Sequence, residues 1–300
     1  MKQQQIIGIR RDSLFSPNHI GNDRIIFDKV ITELAAYGYN IPVYSESEFM
    51  AMEGRLSLQA IVTMGRDKKL VATLQSYEQD GVPVFNSAFG IQNCYRVNMV
   101  KGLIAAGIPH PKSFIVSTED DVTPFYRKLS GIGVWVKRGD FHALHREDVS
   151  FAASEDECRH IINEYAMRGI ETAVLCEHLL GDLVKFYGVR GTDFFHWFYP
   201  YDARHHKFSE YEAINGQSRH YPFDAAELHA AAERSAACLG VHIYGGDAIV
   251  DAEGRFQIID LNDWPSFAPC REAGAKAIST FLAAALDPLN KNDLNVWKTH

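Results

Sequence analysis

The stretch Gly245 to Phe267, GGDAIVDAEGRFQIIDLNDWPSF, carries the most concentrated chemistry in the chain. Asp251-Ala252-Glu253-Gly254 separates two apolar runs and predicts a hairpin turn, with Gly254 supplying the left-handed residue of a bulge. Pairing Val250 with Arg255 sets Asp247 opposite Ile258. Side chains alternate along a strand, so Asp247, Asp260 and Asn262 then project from one face. An unpaired carboxylate in an apolar sheet costs several kcal/mol or shifts its pKa until it is neutral. A hard cation answers that problem. Mg²⁺ takes one or two carboxylates, keeps some waters and shares the rest of its octahedron with nucleotide phosphates; Mn²⁺ accepts the same ligand types. The alternative is that Asp260 and Asn262 cap a strand end or pair with nearby arginines.

Further candidates lie upstream. Lys137 ends the strand-like run VWVK, where a compact charge suits nucleotide phosphates; the alternative is a strand-end lysine reaching solvent. In VLCEHL followed by DLVKFYGV, the main chain of Glu177, His178 and Leu179 can read an adenine edge. Asp182 can meet ribose hydroxyls, and Lys185 can reach phosphate from a neighbouring strand. Arg10 and Arg11 follow the first strand and Arg66 follows the third, at strand ends where open parallel sheets bind ligands. His142 lies in a polar loop, as either a site residue or a solvated one. The run Arg204, His205, His206, Lys207 is a candidate phosphate grip or an exposed turn. Arg271 opens the last helix and can hold an anion or a neighbouring carboxylate, whereas Trp264, Pro265 and Phe267 read as core and turn.

The elements that must position these residues follow from periodicity. Residues 1–90 alternate short apolar strands (IIGI, IPVYS, AIVTMG, PVFN) with amphipathic helices at 23–37 and 68–79, which predicts a doubly wound parallel α/β domain. Residues 91–153 form a second section: a helix to Gly107, the turn IPHP, the strand SFIVS, a short helix near 122–129 and VWVKR. Residues 154–300 form a third: a helix at 155–168, antiparallel strands TAVLCEHL, DLVKFYGV and FFHWFYP, a helix at 225–239, the hairpin, and a helix at 271–286. The chain has 300 residues, 46% hydrophobic and 23% charged, which excludes a disordered or fibrous protein. A net charge of -8 leaves no footprint for coating a nucleic acid. Five scattered cysteines disfavour a zinc site or a disulfide framework. No apolar run approaches the ~20 residues that span a bilayer, and the N-terminus lacks a signal-peptide core. The expected setting is the cytoplasm, away from membranes.

In order and spacing, these parts resemble the ATP-grasp superfamily over roughly residues 86–286. NCYRVNMVKGLIAAGIP (Asn93 to Pro109) is similar to the helix that opens the family's first ATP lobe. VWVK carries the position of its phosphate-binding lysine, CEHL resembles the interdomain linker that holds adenine, and Asp247, Asp260 and Asn262 match its metal-binding pattern. The resemblance implies a pre-grasp α/β domain followed by a two-lobed α+β ATP-grasp domain, with ATP and Mg²⁺ (or Mn²⁺) as cofactors and a homodimer as a common assembly. Some positions depart from the usual ligase pattern. Arg96 stands where many members have lysine, RGDFHALHRED replaces a glycine-rich loop, and the metal pair is Asp-Leu-Asn rather than Glu-x-Asn. Those positions, with His142 and LVKFY, resemble the ATP-grasp inositol-polyphosphate kinases.

Two reactions follow from the resemblance. In a carboxylate–amine or carboxylate–thiol ligase, ATP phosphorylates a small-molecule carboxylate while Arg96, Lys137, Lys185 and Mg²⁺ neutralise the transferring group. In a kinase, the phosphoryl group goes to a hydroxyl of a polyol such as an inositol phosphate, with His142 at the transferring phosphate and Arg204 among the substrate grips. Ligase is the leading expectation, kinase the alternative, and a non-catalytic ATP-binding protein a third.

Overall fold

The computed structural model describes residues 5–15, 20–129, 131–143, 145–200 and 217–290. In the N-terminal part, β1 (Gln5–Arg10), β2 (Val43–Ser45), β3 (Leu58–Thr63) and β4 (Val84–Phe85) form one parallel sheet of order β2-β1-β3-β4. Alternation in β1 sends Ile7 and Ile9 to one face, where they share a core with Leu70 and Leu74 of α3 (Lys68–Gln79). Ile6, with Ala60 and Val62 of β3, faces the opposite way, towards Ile26, Phe27, Val30 and Leu34 of α1 (Ile20–Ala36). Helices therefore cover both faces, as expected for a doubly wound sheet. A short helix, α2 (Glu46–Met50), follows β2 directly.

The expected single helix up to Gly107 is two, α4 (Ala88–Asn93) and α5 (Arg96–Ala105). An antiparallel sheet then joins β5 (Ser113–Ser117), β6 (Val134–Arg138), β7 (Val149–Ala152) and β8 (Thr172–Glu177) in the order β5-β8-β6-β7. Helices α6 (Thr123–Leu129) and α7 (Glu155–Met167) back it through Tyr126, Leu129, Cys158, Ile162 and Tyr165. This corrects the sequence-based division at residue 153. The sequence reading groups TAVLCEHL with DLVKFYGV in the third section, yet β8 pairs with β5 and β6 on its two sides and belongs to the first antiparallel sheet.

The second lobe's antiparallel sheet is β10-β9-β11-β12, from β9 (Asp182–Val189), β10 (Phe195–Phe198), β11 (Ile243–Val250) and β12 (Phe256–Asp263). Its back is covered by α8 (Ala225–Leu239) and by α5, whose Met99, Val100 and Leu103 share a core with Leu228, Leu239, Ile258 and Leu261. The last helix, α9 (Arg271–Asn290), returns to the N-terminal part and packs Ile278, Leu282 and Leu286 with Val30 and Leu34 of α1. Among the described residues, no helix is long and apolar enough to cross a membrane.

The hairpin reaches the expected result by a different register. Gly254 takes φ +78° in the turn, and Val250 pairs with Phe256, one residue beyond the expected Arg255. Continued unchanged, that pairing would place Asp247 opposite Ile259 and turn Asp260 towards the core. A bulge between Asp247 and Ala248 on one side and Ile258 and Asp260 on the other restores the parity, so Asp247 lies opposite Asp260 and Gly245 opposite Asn262. The three oxygen-bearing residues share the cleft face, while Ile258 and Leu261 stay in the core. At Gly246 a Cβ would collide with the Asp260 carbonyl oxygen and the Phe186 ring. Gly246→Ala is therefore expected to lower unfolding free energy by about 1–3 kcal/mol, read as an earlier midpoint in chemical denaturation.

Candidate active site

The two antiparallel sheets face each other across a cleft lined by residues of both. One wall comes from the first lobe: Trp135 and Lys137 of β6, Val149 of β7, and Cys176 and Glu177 at the end of β8. The other comes from Leu183 of β9, Asp247 and Ile249 of β11, and Ile259 and Asp260 of β12. Leu179 of the linker and Arg96, the first residue of α5, complete it. Alternation explains the second wall. Leu183, Lys185 and Tyr187 point one way along β9, and Asp247 sits directly opposite Lys185 in the β9–β11 ladder. The face thus runs in rows from apolar Leu183 and Ile249, through charged Lys185, Asp247 and Asp260, to Tyr187, Gly245 and Asn262.

The carboxylates of the charged row are answered by cations of the chain itself. Lys185 Nζ donates to Asp247 Oδ1, and Arg96 Nη1 lies 2.9 Å from Asp260 Oδ1, with the two carboxylate side chains 20% and 21% exposed. Lys137 Nζ, from the opposite lobe, donates to the Ile259 carbonyl at 3.4 Å. Burial alone would raise the Asp260 carboxyl, but Arg96, then Lys137, His142 and Lys185, outweigh it and hold it below the usual carboxylate range. A buried carboxylate here therefore does not by itself require a metal, as the sequence argument supposed. The donor set still suits one: two carboxylates on a directly opposed cross-strand pair that line the cleft, with an amide on the same sheet face, all hard oxygens. Among the described residues, no group of three His, Cys, Asp or Glu side chains is poised to bind a metal, so Asn262 is needed to complete the set.

Several expected site residues are occupied elsewhere. Asp182, expected at the ribose, is turned to the other face of β9, and its oxygens accept the main-chain N–H groups of Arg219 at 2.7 Å and Tyr221 at 2.8 Å. His178 accepts a hydrogen bond from Trp135 Nε1 at 3.0 Å and packs on Phe151, so its ring supports the tryptophan wall. Arg271 donates to Asn22 Oδ1 at 2.8 Å, outside the cleft. Arg204 and the rest of its basic run lie outside the described residues.

The strand-end arginines are structural. Arg11, whose side chain is 3% exposed, donates to Met64 O at 3.0 Å, Asp23 at 2.9 Å and Trp264 O at 3.2 Å. Arg66 grips Asp263, with Nη2 2.7 Å from its main-chain oxygen and 3.0 Å from Oδ1. His142 Nε2 stands 3.3 Å from the same Oδ1, so the loop after β6 is docked on this cluster and its histidine is withdrawn from the cleft. Asp263, 1% exposed, was not legible as a key residue. Burial would raise its carboxyl, but Arg66, His142 and Arg11 drive it well below the carboxylate range. Arg10 is half-buried at the end of β1 and does not line the cleft. The strand-end anion position itself is filled by Glu46, whose carboxylate accepts from Asp12 N, Arg66 N and Asp67 N at 2.8–3.1 Å. An acidic residue at the start of α2 gave no sequence signal for that role.

No family model and no protein of curated function matches this sequence. Solved structures do. The RimK domain ATP-grasp protein of Sphaerobacter thermophilus superposes with a TM-score of 0.68 at 18% identity, over 92% of this chain and 98% of that one. The D-alanyl-alanine synthetase A of Vibrio cholerae gives 0.69 at 12% identity, over 98% and 99%. The D-alanine–D-alanine ligase of Bacillus anthracis complexed with ATP gives 0.65 at 12%, over 97% and 100%. The chain therefore has the ATP-grasp fold, and its cleft lies between the two lobes of that fold.

Burial, then Arg66, pushes the His142 imidazole down to about 4 from its ordinary 6.5. Between those values an unfolded histidine binds a proton that the folded one refuses, so stability rises with pH across this window and is lost on acidification through it. Chemical denaturation from pH 7 to pH 4.5 should show that loss, roughly 3 kcal/mol from His142 over its full range. His142→Asn should remove its share of that loss and make the profile shallower, while His110 and His242, also pushed down to about 4 by burial, keep the remaining slope. The depressed Asp263 carboxyl acts below this window, since its contribution is complete above about pH 4.

Proposed function

We propose that the protein is an ATP-dependent ligase that phosphorylates a small-molecule carboxylate and passes the acyl group to an amine or thiol. The observation that carries this reading is the cleft itself, apolar at one end and charged at the other, with Arg96, Lys137 and Lys185 converging on Asp247 and Asp260. Trp135, Leu183, Ile249 and Ile259 offer a flat apolar slot of the kind a purine fills, beside the main chain of Glu177 and Leu179. The three cations suit the charge that spreads over a transferring phosphoryl group. A Mg²⁺ ion held by Asp247, Asp260 and Asn262 would supply further neutralisation of phosphate oxygens. Lys185 then serves the phosphates once a divalent ion takes over its carboxylate partner.

In the reaction, a carboxylate oxygen of the acceptor attacks the γ-phosphorus, the bond to the β–γ bridging oxygen breaks and ADP leaves. The amine or thiol attacks the acyl carbon, and the carbon–oxygen bond breaks to release phosphate. The structural neighbours support this choice, since those compared above include two named as D-alanyl-D-alanine ligases or synthetases, one of them bound to ATP. The alternative is phosphoryl transfer to a hydroxyl, in which Arg96, Lys137 and Lys185 would neutralise the transferring group equally well. The withdrawal of His142 from the cleft weighs against that alternative.

A phosphate balance tests the choice. With Mg²⁺-ATP and a small-metabolite extract, ADP matched by free phosphate and a condensed product is the expected result; ADP with a phosphorylated metabolite and no free phosphate would move the reading to a kinase. Lys137→Ala and Asp260→Ala should each reduce turnover about a hundredfold or more with the fold retained. Near-normal ATP use by either variant would remove the cleft from consideration.

A further inference from the structure

The charged row depends on Asp260 standing on the cleft face, and that depends on one irregular residue step in β12. A bulge leaves main-chain groups that the neighbouring strand cannot pair, so something else must hold it. β12 is an edge strand, with only β11 beside it in the sheet. Its outer edge is met by the turn between α5 and β5. Ile258 N donates to Pro109 O at 2.8 Å, and the Ile258 carbonyl lies 2.7 Å from His110 Nδ1. A carbonyl oxygen can only accept, so the imidazole donates from Nδ1.

Beyond residue 258 the outward-pointing groups change parity. The next carbonyl engaged from outside is that of Ile259, by Lys137 Nζ, and the next N–H is that of Leu261, which points at Met99 Sδ at 3.1 Å. A regular strand would present residues 258 and 260 at one edge; here the edge passes from 258 to 259 and 261, which is the bulge seen from outside. Ile258 is the last residue before the shift, and both of its main-chain groups are held by Pro109 and His110.

We infer that His110 is a positioning residue that fixes the bulge of β12 and so keeps Asp260 on the cleft face opposite Asp247. Its ring is neutral at ordinary pH, since burial pushes it down to about 4 against the raising effect of its bond to Ile258. It is thus a hydrogen-bond donor to β12 and adds no charge beside Arg96 and Lys137. Without the donor, the Ile258 carbonyl is left unpaired at a partly buried edge, and the regular register, with Ile259 opposite Asp247, becomes competitive. The consequence for metal binding rests on the Mg²⁺-ATP reading above; the consequence for strand register does not.

The test compares the native protein with His110→Ala and with His110→Asn, whose amide can donate from nearly the same position as Nδ1. Mn²⁺ is titrated in the presence of a non-hydrolysable ATP analogue, with free Mn²⁺ read by electron paramagnetic resonance. Nucleotide affinity in EDTA is read by tryptophan fluorescence. His110→Ala should raise the Mn²⁺ concentration for half-saturation about 10–100-fold, the usual effect of losing a group that orients a metal ligand. It should leave metal-free nucleotide affinity within about twofold, and His110→Asn should recover most of the loss, because a second donor replaces the first. Main-chain nuclear Overhauser contacts supply the independent readout: 247 with 260 in the native protein, and 247 with 259 gaining intensity in His110→Ala. An unchanged Mn²⁺ titration together with unchanged 247–260 contacts in His110→Ala overturns the inference. A native protein that binds the analogue with no metal dependence would instead overturn the metal reading, leaving the contacts alone to decide for or against His110.

Discussion

A sheet face that is otherwise apolar carries Asp247 and Asp260 only because positive groups meet them there. That requirement organises much of the molecule. Lys185 meets Asp247 from the adjacent strand of the same sheet, so the ladder alone provides it. Arg96 comes from the first turn of α5, a helix that lies behind the sheet and reaches round its edge. Lys137 comes from the opposing lobe and touches the main chain beside Asp260. Charge balance in the cleft is therefore a tertiary property, assembled from separate segments. Desolvated charges of this kind are poor sources of net stability, which accords with a site organised for chemistry rather than for holding the fold together.

A second buried charge joins the N-terminal part to that assembly. Asp263 lies at the end of the same strand as Asp260 and Asn262, and Arg11, Arg66 and His142 converge on it from two strand ends and the loop after β6. Both arginines sit where an open parallel sheet normally offers its ligand site. Here they are committed to a domain junction, and Glu46 fills the adjoining anion position with the chain's own carboxylate. The consequence for function is that the candidate chemistry moves away from the parallel sheet and into the cleft between the antiparallel ones.

Much of the local structure was legible in the sequence because it rests on local rules. The helix at Lys68–Gln79 follows from its apolar period and its Asp67 cap, and the strands at Ser113–Ser117 and Asp182–Val189 from their apolar and β-branched content. Pairing was less legible. The run containing β8 groups with β9 in one section because it is next in the chain, whereas it is central in the other sheet. The hairpin register was offset by one at the turn, and the correct face was recovered only because a bulge repaired the parity.

By itself, then, the sequence determined which residue types were available and where they fell on strands and helices: Lys137 at a strand end, Asp247, Asp260 and Asn262 in a hairpin, Arg96 within a helix. It also determined the alternation that puts Lys185 and Asp247 on the cleft side of their strands. Only the tertiary structure decided which charges face ligand space and which face each other. Arginine and histidine are chemically equal to either task, and the difference lies in burial and in partners brought from more than a hundred residues away. Arg11 and Arg66 meet Trp264 and Asp263 across such separations, and the His110 that holds the Ile258 carbonyl is equally remote from it in the chain.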